Sequence, residues 1–106
     1  MRHANQVTVE MLQNDRDYLI AYFQDALLTL FKGEDQIGRL MIRDLVNATM
    51  GFPDLALQMK VSSKTIMGKL TESSNPGAAA LFEIIDAIVK HEGLEIERIT
   101  VSDKVA

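Results

Sequence analysis

The chain has no cysteine. Disulfides, thiolate zinc sites and a cysteine nucleophile are therefore excluded, and the composition suits a reducing cytoplasm, the expected compartment. Long apolar runs are missing too. Charged or polar residues break every hydrophobic stretch well short of the ~18 residues that a membrane span needs. The N-terminus offers Arg2 followed by polar residues rather than the apolar core of a secretory signal. No membrane partner is expected. Nor is there an excess of basic charge: the net charge is −4, which argues against a protein that coats nucleic acid through bulk electrostatics.

Catalytic patterns are equally scarce. No glycine-rich loop is placed to cradle a phosphate. Ser62, Ser63, Ser73 and Ser74 have no nearby base and no nucleophile-elbow sequence around them. His3 and His91 are isolated and form no recognisable metal cluster. Asp15, Asp17, Glu34 and Asp35 fall at helix starts, where capping accounts for them better than acid/base chemistry. The expectation is a protein that is not an enzyme and that uses no cofactor and no metal.

What is present is a normal globular mixture over 106 residues, 47% apolar and 25% charged, enough for one domain spanning residues 1–106. Residues 1–12 are ambiguous: Val7, Val9 and Met11 alternate with Thr8 and Glu10 as in a short strand. Asn14 can cap an N-terminal helix over 14–32, in which Leu19, Phe23, Ala26, Leu27, Leu30 and Phe31 recur at helical spacing before Gly33 ends it. Asp35 can cap a second helix with Ile37, Leu40, Met41, Leu45 and Ala48 along one stripe, stopped by Gly51. Pro53 suits the first turn of a third, short helix carrying Leu55, Ala56 and Met59. Ser62 caps a fourth, in which Ile66 and Leu70 stand one turn apart. Asn75-Pro76 starts the last, over 76–92, where Ala79, Leu81, Ile84, Ile85, Ile88 and Val89 line one side and Gly93 closes it. Leu94, Ile96, Ile99 and Val101 then suggest a β-segment over 94–101, with a slip of parity between Ile96 and Ile99. The predicted fold is mainly all-α, a five-helix bundle with a short terminal β-segment.

The informative stretch is FPDLALQMKVSSKTIMGKL, within 52–71. It reads as a short helix, a tight turn at Lys60-Val61 and a second short helix, the pattern of a helix-turn-helix. Ala56 supplies the small side chain that a steep crossing needs. Leu55, Met59, Val61, Ile66 and Leu70 would seal the unit against its neighbours. Ser62, Ser63, Lys64, Thr65, Met67, Gly68 and Lys69, with Thr71 beyond them, would then face outward, in position to enter the major groove of double-stranded DNA. Charge is mildly sorted to match: Phe52–Gly77 carries Lys60, Lys64 and Lys69 against Asp54 and Glu72, a net +1, which leaves −5 on the rest.

The stretch VSSKTIMGKLTESSNP resembles the second half of the helix-turn-helix in phage-repressor-like regulators. Over residues 15–97 the chain is similar to the addiction-module antidote family, the antitoxins of toxin–antitoxin pairs. The resemblance rests on Tyr18–Leu27, Asp44–Ala48, Gly51 with Leu55-Ala56, Ser62 with Ile66 and Leu70, and Asn75-Pro76. It implies a transcription regulator that binds DNA as a homodimer and has a possible cognate toxin as partner. The chain departs from the family at four places. Ser63 stands where an arginine follows the capping serine, Met67-Gly68 replaces Tyr-Arg, Lys60 occupies a turn position often held by glycine, and Gly77-Ala78-Ala79-Ala80 follows Asn75-Pro76 in place of a threonine-containing run. No arginine remains on the reading helix. An arginine-free helix in an acidic chain equally suits a second expectation, a protein-interaction module that neutralises a toxin or scaffolds a complex without touching DNA.

Overall fold

The structure is a computed structural model, and it describes residues 4–70 and 77–104. Six helices occur among them: α1 Ala4–Asn14, α2 Arg16–Phe31, α3 Asp35–Ala48, α4 Gly51–Met59, α5 Ser63–Lys69 and α6 Ala78–Glu92. No helix there is long and apolar enough to cross a membrane.

The sixth helix is α1, where the alternation of Val7, Val9 and Met11 suggested a strand. A strand needs a neighbour to pair its backbone, and none of the described residues forms one. A helix satisfies its own. In helical register Val9 and Leu12 share one face and pack into the core, while Val7 and Met11 stay exposed. The α1–α2 junction is correspondingly one residue later than the sequence suggests. Asp15, not Asn14, is the cap of α2: it has extended backbone and its carboxylate accepts the Tyr18 N–H at 3.1 Å. Asn14 instead ends α1, its side-chain amide donating to the Glu10 carbonyl at 2.8 Å.

α3 is the central element and packs on α1, α2, α4 and α6. Ile42, Leu45 and Val46 face inward, against Phe23 and Ala26 of α2, Leu55 of α4 and Ile84 and Ile88 of α6 in one continuous core. Gly38 marks a close approach of α2 and α3, since a Cβ there would lie 2.5 Å from Leu30 Cδ2 and 3.3 Å from the Leu30 backbone nitrogen. Ile37 and Phe31, expected within apolar stripes, are exposed, Ile37 by 56%. With Gly38 and Ile42 on the buried side, Ile37 is carried outward by the helical rotation. Ala79 in α6 is likewise exposed.

Polar groups reinforce the frame. Asp35 does not cap α3. It is that helix's first residue, and it pairs one turn on with Arg39, whose side chain is only 2% exposed, at 2.5 Å. Hydrogen bonding from Arg39 holds the Asp35 carboxyl below the usual carboxylate range. The Tyr22 hydroxyl donates to Asp44 Oδ2 at 2.8 Å across α2 and α3. Burial, then the Asp44 bond, pushes the phenol above its ordinary value, and burial raises Asp44 against the opposing pull of Tyr22 and Arg43. Arg16 at the start of α2 reaches the end of α6, donating to the Glu92 carboxylate and to the Glu92 carbonyl oxygen, both at 2.6 Å. The second bond satisfies a carbonyl that a helix end otherwise leaves open.

α6 starts at Ala78, with Gly77 as its cap, so the proposed Asn75-Pro76 start lies outside the described residues. Its end is as the sequence indicates: Gly93 is left-handed (φ 65°), and the Leu94 N–H returns to the Val89 carbonyl at 2.9 Å. The expected β-segment over 94–101 does not form within this chain. The described residues contain no strand for it to pair with.

Candidate nucleic-acid interface

α4 and α5 pack on each other and are joined by Lys60, Val61 and Ser62. α4 opens with Gly51 in the left-handed region (φ 79°) and Pro53 in its first turn, where a missing N–H is harmless. It ends in a left-handed residue that is not glycine: Lys60 has φ 60° and ψ 38°. The Lys60 N–H bonds to the Leu57 carbonyl at 3.4 Å and the Val61 N–H to the Ala56 carbonyl at 3.1 Å, the paired bonds of a Schellman stop. The same stop closes α2 at Gly33 and α6 at Gly93. A side chain in this conformation costs about 1 kcal/mol that glycine escapes. Lys60→Gly is therefore expected to raise stability by about 1 kcal/mol, read as a rise in Tm of ~4 °C. An unchanged or lower Tm would contradict the strain assigned to this turn.

Ser62 caps α5 as expected. Its Oγ accepts the Thr65 N–H at 3.1 Å and lies 2.7 Å from the Thr65 hydroxyl. Two of the seven expected contact residues are thus also engaged in holding the helix end. Ile66 and Leu70 are 0% exposed and pin α5 to the body. Leu55 and Ala56 are buried beneath them on α4 and Met59 is half-buried, but Val61, expected to help seal the unit, is exposed.

The opposite side of α5 faces solvent. Ser62, Lys64, Thr65, Met67 and Gly68 are exposed, and Ser63 and Lys69 half-buried. A Cβ on Gly68 would meet nothing within 4 Å, so no packing demand explains this glycine. Lys60, Lys64 and Lys69 form no ion pair among the described residues. Thr71 lies outside them. One exposed apolar residue of α4, Leu57, was not singled out from the sequence. Its position in the turn after the buried pair Leu55-Ala56 is the signal that identifies it.

A second feature lies elsewhere. Leu27, Leu30, Leu81 and Ile85 line a groove among α2, α3 and α6 together with the Asp35–Arg39 pair, and Phe31 and Phe82, both exposed, line it as well. Compared with known proteins, the chain matches no family model, no curated protein and no solved structure.

Proposed function

We propose that the chain is a sequence-specific DNA-binding transcription regulator of the antitoxin type that acts as a homodimer, with α4 and α5 as its helix-turn-helix. The observation that supports this reading is the asymmetry of α5. Two fully buried anchors, Ile66 and Leu70, hold a helix whose other side carries small hydroxyls and two lysines that form no ion pair among the described residues. A helix presented in this way fits a major groove. Ser62, Ser63, Thr65, Met67 and Gly68 would lie nearest the bases, with Lys64 and Lys69 on phosphates. Two copies are needed because one seven-residue helix offers few contacts, and two half-sites about 34 Å apart double them.

The test is the salt dependence of binding to mixed duplex DNA. With Lys60, Lys64 and Lys69 on phosphates in each protomer, six contacts give a log–log slope of about −5. Lys64→Glu removes two of them and reduces the slope to about −4, with a fall in affinity of at least tenfold at low salt. A slope near zero, or binding indifferent to Lys64→Glu, counts against the α5 surface.

The second reading is an interaction module without DNA contact, a toxin neutraliser or scaffold. The groove lined by Phe31 and Phe82 favours it, because exposed aromatics beside leucines, an isoleucine and the Asp35–Arg39 pair suit a protein partner. In that case Phe31→Ala and Phe82→Ala, rather than Lys64→Glu, abolish the activity.

A further inference from the structure

The outward side of α5 holds few of the groups that recognise bases by paired hydrogen bonds. Between Ser62 and Leu70 there is no arginine for guanine, no asparagine or glutamine for adenine and no carboxylate for cytosine. Two of its hydroxyls are already committed to the helix end. The Ser62 and Thr65 oxygens lie 2.7 Å apart, and Ser62 Oγ also accepts the Thr65 N–H. With its hydroxyl engaged at the cap, the exposed Thr65 has its γ-methyl left for an outside contact. Met67, 38% exposed, is the large apolar side chain that this helix shows to solvent.

Gly68 fits the same pattern. It is two positions from each of the buried Ile66 and Leu70, so at about 100° per residue it stands opposite both, at the crest of the outward arc. By the same rotation Thr65 and Met67 flank it on either side. A helix about 10–12 Å across fills a major groove about 12 Å wide, so its flanks as well as its crest meet base edges. A threonine methyl reaches only a short way from the backbone. It touches a base only where no side chain at the crest holds the helix off, and Gly68 has none. Lys64, the other residue near the crest, has a flexible stem that can turn its charge to a phosphate.

We infer, resting on the DNA reading above, that α5 selects duplex with thymine in each half-site by apolar contact with the C5-methyl group. The Thr65 methyl makes that contact on one flank and the Met67 thioether on the other, and Gly68 lets the helix come close. Thymine's methyl is the apolar mark that unmodified base pairs show in the major groove. A surface short of paired hydrogen-bonding groups and supplied with apolar ends complements it.

The full chain is used to select duplexes from a random pool, and the bound ones are remade with deoxyuridine for thymidine, which deletes the methyl and keeps the base pairing. Thymine at fixed positions in each half-site is expected. Each methyl contact is worth about fourfold, so the four of a dimer make the deoxyuridine duplex bind on the order of 100-fold more weakly. The salt slope stays the same, because no phosphate contact is lost. Thr65→Ser removes the methyl and keeps the hydroxyl for Ser62. It is expected to weaken binding about tenfold on the thymine duplex and about threefold or less on the deoxyuridine duplex, the coupling of groups that touch. Gly68→Leu holds the helix away and also loses on the order of 100-fold on the thymine duplex, since all four contacts go. A Cβ there meets nothing within 4 Å, and leucine is the better helix former, so its unfolding midpoint does not fall and lost contact is told apart from lost folding. Three outcomes overturn the methyl contact while a steep salt slope leaves the DNA reading standing: selected duplexes without a common thymine, equal binding of the thymine and deoxyuridine duplexes, or full affinity in Gly68→Leu. A Thr65→Ser loss that is the same on both duplexes overturns the role of Thr65. Absence of binding to every duplex overturns both readings.

Discussion

Ile66→Ala is expected to lower the unfolding free energy by about 2–5 kcal/mol, the range for removing a large aliphatic side chain from a filled core. Ile66 is 0% exposed and is the one fully buried residue within α5 itself, since Leu70 follows as its C-cap. A helix of seven residues has no stability of its own in water and exists through what it packs on. The principal contact of α5 is with α4, so the loss concentrates there. Two measurements check this. Urea unfolding gives the global cost, and amide exchange in 63–70 accelerates more than exchange in α3. Lys64→Ala, on the exposed side, is the control and stays within about 0.5 kcal/mol of wild type. A cost below about 1 kcal/mol for Ile66→Ala would mean that α5 is not anchored as described. The surface proposed to read DNA would then lack a rigid support.

The second large effect is expected at Gly38. An added Cβ would lie 2.5 and 2.6 Å from the Leu30 side chain, which can rotate, and 3.3 Å from the Leu30 backbone nitrogen, which cannot without moving α2. For Gly38→Ala the crowding is partly offset by the roughly 1 kcal/mol that alanine gains over glycine inside a helix. Gly38→Val adds two methyl groups to the same contact and loses most of that gain, and it is expected to cost about 3 kcal/mol. Thermal unfolding measures the cost. Combining Gly38→Val with Leu30→Ala recovers part of it, a coupling between residues that touch. Strict additivity of the two substitutions would show that α2 and α3 do not approach closely at this point.

These two sites differ in how visible they were from sequence. Ile66 was evident from its spacing with Leu70 after the capping Ser62, because a helix of that length can bury only one stripe. Gly38 carried no such mark. A glycine within a run of helix-compatible residues looks neutral until the partner helix is known, and Leu30 lies eight positions away across a turn. The Asp15 cap was misplaced by one residue for a related reason. Asn14 and Asp15 are both good caps, and the choice fell to Asp15 because Asn14 closes a preceding helix that alternation had suggested as a strand. The exposure of Ser62, Lys64, Thr65, Met67 and Gly68 on α5 was legible, while Ser63 and Lys69, expected outward, are half-buried, and the strained turn at Lys60 was legible too. Arg39 was not: a charged side chain at 2% exposure follows from the packing of α2 and α6 around it, not from its neighbours in sequence.

The sequence by itself determined the punctuation: the stops at Gly33 and Gly93, the Ser62 cap, Pro53 in the first turn of α4, and the Ile66/Leu70 stripe. Each depends on bonds or spacings within a single turn or two of chain. Tertiary structure alone decided that residues 4–14 are helical, that Gly38 is a contact point, and that Ile37 and Phe31 face water. It also decided that residues 94–101 find no strand partner among the described residues. Those outcomes depend on which surfaces distant segments bring together, and apolar burial is indifferent to sequence distance.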